Sequence, residues 1–284
     1  MPSEIAVTGA SGQIGGLVAK LLDQAGLPAR LLLRPGRNLE GLKLASRREF
    51  QGFHDVPAAR SALSGVEVLF MVSAAEAPDR LAQHFSFLDA AAAAGVQHIV
   101  YTSFIGASPT STFTLARDHW ATEQRIIAKG FDHTFLRDNF YLDLLPHFAD
   151  QHGVIRGPAA DGRVAAVARA DVSRSAAAIL LDPAKHLNTS YDLTGPEALS
   201  LPEVAAEITR LTGRATSFQH ETVAEAYASR AVFNAPDWEL DAWVSTYTAI
   251  AAGEMAALSP AVRELTGREP LSLGELLSIE SGKV

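Results

Sequence analysis

Residues 5–16 read IAVTGASGQIGG. A short apolar run, Ile5–Val7, gives way to Gly9, Gly12 and Gly15, and a helical pattern runs from Gln13 to Ala25. Glycine tolerates positive φ and has no Cβ, so this spacing permits a tight strand-to-helix turn whose backbone N–H groups can approach a pyrophosphate. The positive end of the following helix stabilises an anion at the same place. Taken alone the three glycines also suit a plain turn, but strand before and helix after point to the opening βα unit of a dinucleotide-binding domain. The spacing is GxxGxxG rather than GxGxxG, and Ser11 does not stand in a GxSxG, so a hydrolase nucleophile turn is not indicated.

Outward from this loop the same alternation recurs. Strand-length apolar runs, EIAVTG, ARLLLR, VEVLFMVS, HIVYTS and HTFLR, are separated by helical patterns over Asp79–Ala94 and Leu115–Lys129. That order predicts an α/β fold of Rossmann type, a doubly wound parallel sheet whose strands are apolar throughout because helices cover both faces. The Ala-rich DAAAAAG offers a smooth helix surface for close packing. Beyond about Phe148 the alternation gives way to a smaller, helix-rich part. The division expected is therefore an NADP-binding Rossmann domain over residues 1–150 and a C-terminal part, 151–284, that contributes to the sheet and carries a substrate lobe, the two interleaved as one structural unit. No tract reads as a free linker, and a cleft between the parts is the expected substrate site.

Composition narrows the function. The 284 residues include 48% hydrophobic and 20% charged residues, as in an ordinary globular enzyme. A formal net charge of -8 offers no broad field for a phosphate backbone, so nucleic acid is not an expected partner. With no cysteine, thiol nucleophiles, disulfides and iron–sulfur clusters are out. The nine histidines show no HExxH or other ligand spacing, so no metal is expected. The N-terminus lacks a signal-peptide pattern, and the longest stretch without Asp, Glu, Lys or Arg, residues 90–116, is too rich in Ser, Thr and Gln to span a membrane. The expected location is cytoplasmic.

At the end of the second strand, LLLRPGRN places Arg34 nineteen residues after Gly15, where an acidic residue would bind the ribose 2′-OH of NAD. A guanidinium there suits the 2′-phosphate of NADP(H), with Arg37 able to assist. A solvated basic turn is the plainer alternative.

Together with QHIVYTS, LARDHWATE, TFLRDNFY and VARADVSRSAAAIL, the TGASGQIGG start resembles the NmrA-like group of atypical short-chain dehydrogenases/reductases. Within that group the chain is most similar to NADPH-dependent quinone oxidoreductases and triphenylmethane dye reductases, its last fifty residues only loosely. The resemblance implies that Thr8, Gly9, Ser11, Gly12, Gln13, Ile14 and Gly15 hold the pyrophosphate and Arg34 the 2′-phosphate. It implies that Ser73, Ala74 and Ala75 face the ribose and nicotinamide side, that Phe53 lies near the adenine, and that Tyr101, Thr102 and Ser103 belong to the cofactor site. Gly52 stands where relatives often have Asp.

In ordinary members of the wider family a Tyr and a Lys, one turn apart on a helix, respectively protonate the carbonyl oxygen and grip the ribose. Anchored on Glu123, this chain has Leu115 at the Tyr position and His119 at the Lys position. Reducing an aliphatic ketone develops an alkoxide, and a positioned acid commonly contributes ~10²–10⁴-fold. Leu115 cannot supply that acid. Hydride transfer to a quinone leaves a phenolate-like anion, and transfer to a cationic dye leaves a neutral product, so both proceed without a strong acid. His119 is the candidate catalytic residue, orienting the nicotinamide ribose or donating to an acceptor oxygen, since an imidazole can titrate near neutral pH; a positioning role rather than obligatory proton transfer is expected, with a plain helix His bonded to Glu123 as the alternative. Phe104, Phe140 and Tyr141 are expected to wall a flat substrate pocket, and Trp238, Trp243 and Tyr247 are weaker candidates.

The function expected is thus an NADPH-dependent oxidoreductase passing hydride to a quinone-like, delocalised small-molecule acceptor. A non-catalytic NADP(H)-binding redox sensor acting through a protein partner is the alternative, and the oligomeric state is left open.

Overall fold

The structure is a computed structural model that describes residues 4–280. In chain order its main elements are β1 (Ile5–Val7), α1 (Gln13–Gln24), β2 (Ala29–Leu33), β3 (Ser46–Glu49), α2 (Val56–Ala62), β4 (Val68–Met71), α3 (Arg80–Ala94), β5 (His98–Phe104), α4 (Thr114–Ala128) and β6 (Asp132–Asp138). There follow β7 (Val154–Gly157), β8 (Arg163–Val164), α5 (Arg169–Leu181), β9 (Thr189–Leu193), β10 (Leu199–Ser200), α6 (Leu201–Thr212), β11 (Ser217–His220), α7 (Val223–Arg230), α8 (Asp237–Ala251), α9 (Ala261–Thr266) and α10 (Leu273–Glu280).

A seven-stranded sheet runs β3-β2-β1-β4-β5-β6-β9. Its β3, β2, β1, β4 and β5 pair in parallel, in registers such as Ile5 opposite Ala29 and Val68. The sheet reverses its direction of growth at β1, the switch point where doubly wound folds bind their ligands. Strands β1, β2, β4 and β5 are buried at every residue, which is why they read as continuous apolar runs. Edge strand β3, SRRE, is exposed throughout and has no apolar pattern, so the sequence did not announce it.

The chain divides into two compact units: residues up to Phe104, Asp118–Arg137 and Ala170–Tyr191 form one, and Ile105–Arg117, Asp138–Arg169 and Asp192 onward the other. The first holds most of the sheet, with a core that includes Leu32, Phe50, Phe53, Leu69, Phe87, Leu88, Tyr101, Ile126 and Phe135. The second is richer in helix and carries two small two-stranded sheets, β10 with β8 and β11 with β7. Its α6 and α7 each begin with a reciprocal capping box, Ser200 with Glu203 and Thr222 with Glu225, which satisfies N–H groups that the helix cannot.

Candidate functional site

The turn after β1 is made by backbone alone. Gly9 adopts φ +60 and its carbonyl accepts from Gly12 N–H at 2.8 Å. Gly9, Ser11, Gly12 and Gln13 are exposed, while Ile14 and Gly15 are buried beneath them. A Cβ on residue 15 would lie 2.5 Å from Gly9 O and 2.6 Å from Thr8 O, so only glycine lets α1 start this close to the strand. No side chain caps α1, which leaves the positive end of its dipole for another anion. These residues fit a dinucleotide pyrophosphate. Arg34, exposed in the turn after β2, is free of the sheet and available to a phosphate.

The segment after β4 is built in the opposite way. Three consecutive N–H groups donate to buried side chains: Val72 to Thr8 Oγ1 at 2.8 Å, Ser73 to Thr102 Oγ1 at 2.9 Å and Ala74 to His84 Nε2 at 2.9 Å. The Ala74 carbonyl accepts from Arg80 Nε at 3.0 Å. Both backbone polar groups of Ala74 are therefore held by α3, whose Arg80 and His84 lie one turn apart.

Donor identities fix the protons in this network. A backbone N–H can only donate, so His84 Nε2 accepts and its Nδ1–H donates to Thr122 Oγ1 at 2.9 Å. Thr122 in turn donates to the Asp118 carbonyl at 2.7 Å. Arginine also only donates, so His119 Nε2 accepts from Arg80 Nη2 at 3.0 Å and Nδ1–H donates to Tyr101 Oη at 3.0 Å. Arg80, His84, Tyr101, His119 and Thr122 are all buried. Burial first, then the Arg80 charge, lowers the His84 pKa to about 3. The same two causes, with His84 third, hold His119 well below 6.5.

Of the two roles expected for His119, donation to an acceptor oxygen does not fit: it is a neutral imidazole with both nitrogens bonded inside the protein. Nor is Glu123 its partner. That carboxylate accepts from Ser103 Oγ at 2.6 Å and from Arg137 through Nε at 2.9 Å and Nη2 at 2.7 Å. Tyr101, Thr102 and Ser103 thus turn their polar atoms inward and brace the strand ends. Leu115, also on α4, is buried.

The structure places the remaining candidates as follows. Phe53 is buried and stacks on Phe87 with ring centroids 4.1 Å apart, in the core. Ser73 and Ala74 are half-buried and Ala75 exposed. Phe104 lies 6.1 Å from the His119 ring. In the second unit Phe140 packs edge-on to Phe113 at 5.0 Å. Tyr141 donates to Asp138 Oδ2 at 2.9 Å under the Arg169 guanidinium, 4.8 Å from its ring centre. Trp243 stands edge-on to Phe233 at 5.8 Å, and Tyr247 lies beneath Arg230 at 5.1 Å. Sequence reasoning missed Arg80, His84 and Thr122. The available signal was RLAQH, a cation and an imidazole one turn apart at the start of a helix that follows a strand end. Among the described residues no group of His, Asp and Glu could hold a metal, and no helix is long and apolar enough to cross a membrane.

Residues 1–239 match the NmrA-like family. The chain belongs to that family. It is 33% identical to quinone oxidoreductase 2 of Escherichia coli, over 96% of this chain and 97% of that one. An NAD(P)H azoreductase of Xenophilus azovorans is 29% identical over 95% and 96% of the respective chains. The solved structure of an Escherichia coli NADPH-dependent quinone oxidoreductase complexed with NADPH is 32% identical, with a TM-score of 0.85 over 98% of this NmrA-like chain and 99% of that one.

Proposed function

We propose that this NmrA-like protein is an NADPH-dependent reductase of quinone-like, delocalised electrophilic acceptors. When bound, the cofactor supplies a hydride. The chain's own residues hold and orient it: the backbone of Gly9, Ser11, Gly12 and Gln13 at the pyrophosphate, Arg34 at the 2′-phosphate and the Ser73–Ala75 segment toward the nicotinamide end. A quinone reductase and an azoreductase among the relatives support the reading, since both are named for conjugated acceptors. A cytoplasmic location and a small-molecule partner go with it.

One observation carries the choice of acceptor. The helix that should present a proton donor presents buried Leu115 and, one turn on, a neutral His119 that already spends both nitrogens on Arg80 and Tyr101. Neither can protonate an alkoxide as it forms, so unactivated ketones lose the ~10²–10⁴-fold that a positioned acid contributes. A quinone needs no such help. His119 accordingly belongs to the scaffold of the site, as a positioning residue.

The test is NADPH oxidation against a panel of p-quinones, azo and triphenylmethane dyes and aliphatic ketones, each corrected for the uncatalysed rate. Quinones are expected to turn over and aliphatic ketones to lag by at least about 100-fold. Efficient ketone reduction overturns the reading. Tight NADPH binding with no turnover of any acceptor transfers it to a sensor that reports cofactor occupancy.

A further inference from the structure

Arg80 is a cation that the reading above leaves without a task. It opens α3 and is 4% exposed. Two of its nitrogens are used, Nε on Ala74 O and Nη2 on His119 Nε2, both at 3.0 Å. The third, Nη1, is buried and makes no hydrogen bond among the described residues. Its charge is opposed only at a distance, by Asp118 Oδ2 at 3.7 Å, and that carboxyl is half-buried. Holding a carbonyl and an imidazole in place requires N–H donors, not a charge. A neutral amide would serve, and burying a guanidinium with one nitrogen unbonded and a loose counter-ion is the more expensive choice. The charge itself therefore calls for an account.

Its position supplies one. The guanidinium is bonded to the Ala74 carbonyl through Nε at 3.0 Å, in the segment assigned above to the nicotinamide end. Oxidised nicotinamide is a cation and the reduced ring is neutral, so a fixed positive charge at this wall repels one form and is indifferent to the other. The surroundings preserve the effect: His84 and His119 face the guanidinium as neutral rings, and Tyr101 is a neutral phenol. Asp118 is the one acidic side chain paired with it in this network.

We propose that Arg80 is a specificity-determining residue that disfavours NADP+ relative to NADPH, so that the oxidised cofactor leaves readily after each turnover. The inference rests on the reading that Ser73–Ala75 face the nicotinamide. It adds that the discrimination arises from one buried charge on α3, damped by Asp118.

The experiment measures dissociation constants for both cofactors in the absence of acceptor, NADPH by its fluorescence and NADP+ by competition. Parent, Arg80→Lys, Arg80→Gln and Asp118→Asn proteins are compared through the ratio Kd(NADP+)/Kd(NADPH). Arg80→Gln should lower the ratio about 5-fold or more, Arg80→Lys should keep most of it, and Asp118→Asn should raise it about 2- to 5-fold as the charge loses its counter-ion. Asp118→Asn is nearly isosteric at a half-buried position, so it decides the matter even if Arg80→Gln fails to fold. A clamp without an electrostatic role shifts both constants together, and an unchanged ratio in Asp118→Asn and in any folded Arg80→Gln overturns the proposal. A parent that binds neither cofactor instead overturns the reading on which the proposal stands, so the two failures are distinguishable.

Discussion

The turn after β1 and the segment after β4 neighbour one another across paired strands, yet they are made from opposite materials. The first works by leaving things out: Gly9, Gly12 and Gly15 remove side chains so that backbone groups are presented outward. The second works by putting things in: Thr8, Thr102, His84 and Arg80 are buried polar side chains that each take a backbone group of residues 72–74. One is a surface for an anion, the other a wall held by an internal network of buried hydrogen bonds. A glycine turn therefore fails by steric intrusion, and a polar network fails by protonation or by loss of one partner.

The largest effect expected is on the glycine side. Gly15→Ala brings a Cβ to 2.5 Å from Gly9 O, a backbone atom that cannot rotate aside. Relief requires moving the α1 start, at about 3 kcal/mol, which corresponds to a loss of NADPH affinity near 100-fold. Equilibrium titration measures it, and unchanged affinity would show that the loop does not hold the cofactor. Next comes Arg34→Ala, which should weaken NADPH by about 10- to 150-fold, the worth of a charged hydrogen bond at about 1.5–3 kcal/mol, and leave NADH nearly unaffected. Equal losses for the two cofactors would remove Arg34 from the 2′-phosphate site.

The buried-histidine side of the comparison extends beyond the site. His98, at the opposite end of β5, is buried and bonded through Nε2 to Thr134 Oγ1 at 2.8 Å. Burial, partly offset by Asp132, lowers its pKa to about 4. A histidine whose folded pKa lies below its unfolded value binds its proton preferentially in the unfolded state. The stability it secures is complete above about pH 6.5 and is lost as pH falls toward 4. Between pH 7 and pH 5 that loss is about 2 kcal/mol. Buried Asp138, raised well above the ordinary carboxylate value by burial, works in the other direction. The measurement is therefore the difference in urea unfolding free energy between parent and His98→Gln at the two pH values. Identical pH dependence in the two proteins would mean that His98 is not held neutral.

The same contrast explains what could be read from the sequence. Glycine spacing is local, so the loop at Gly9–Gly15 and the helix after it were legible, as were strands buried on both faces. The network is assembled by residues far apart in the chain, with Thr8 reaching Val72 and Arg80 reaching His119, and no local pattern marks such a meeting. Family position drew attention to His119 and Tyr101, but burial and donor identity, which only the folded chain supplies, decide that the imidazole is neutral. Phe53 shows the same limit: its ring reads equally as a nucleotide neighbour or as core, and here it stacks on Phe87.

The central claim is that the site transfers hydride with no titrating acid on α4. Its most direct test is the pH dependence of kcat for a p-quinone at saturating NADPH and acceptor, from pH 5.5 to 8.5, in the parent and in His119→Gln, whose amide oxygen can still accept from Arg80. The account predicts that kcat in the parent shows no limb belonging to an imidazole, and that His119→Gln keeps the same profile with a loss within about 10-fold. A limb near pH 6.5 in the parent that vanishes in His119→Gln, together with most of the rate, would make His119 the proton donor and contradict the account.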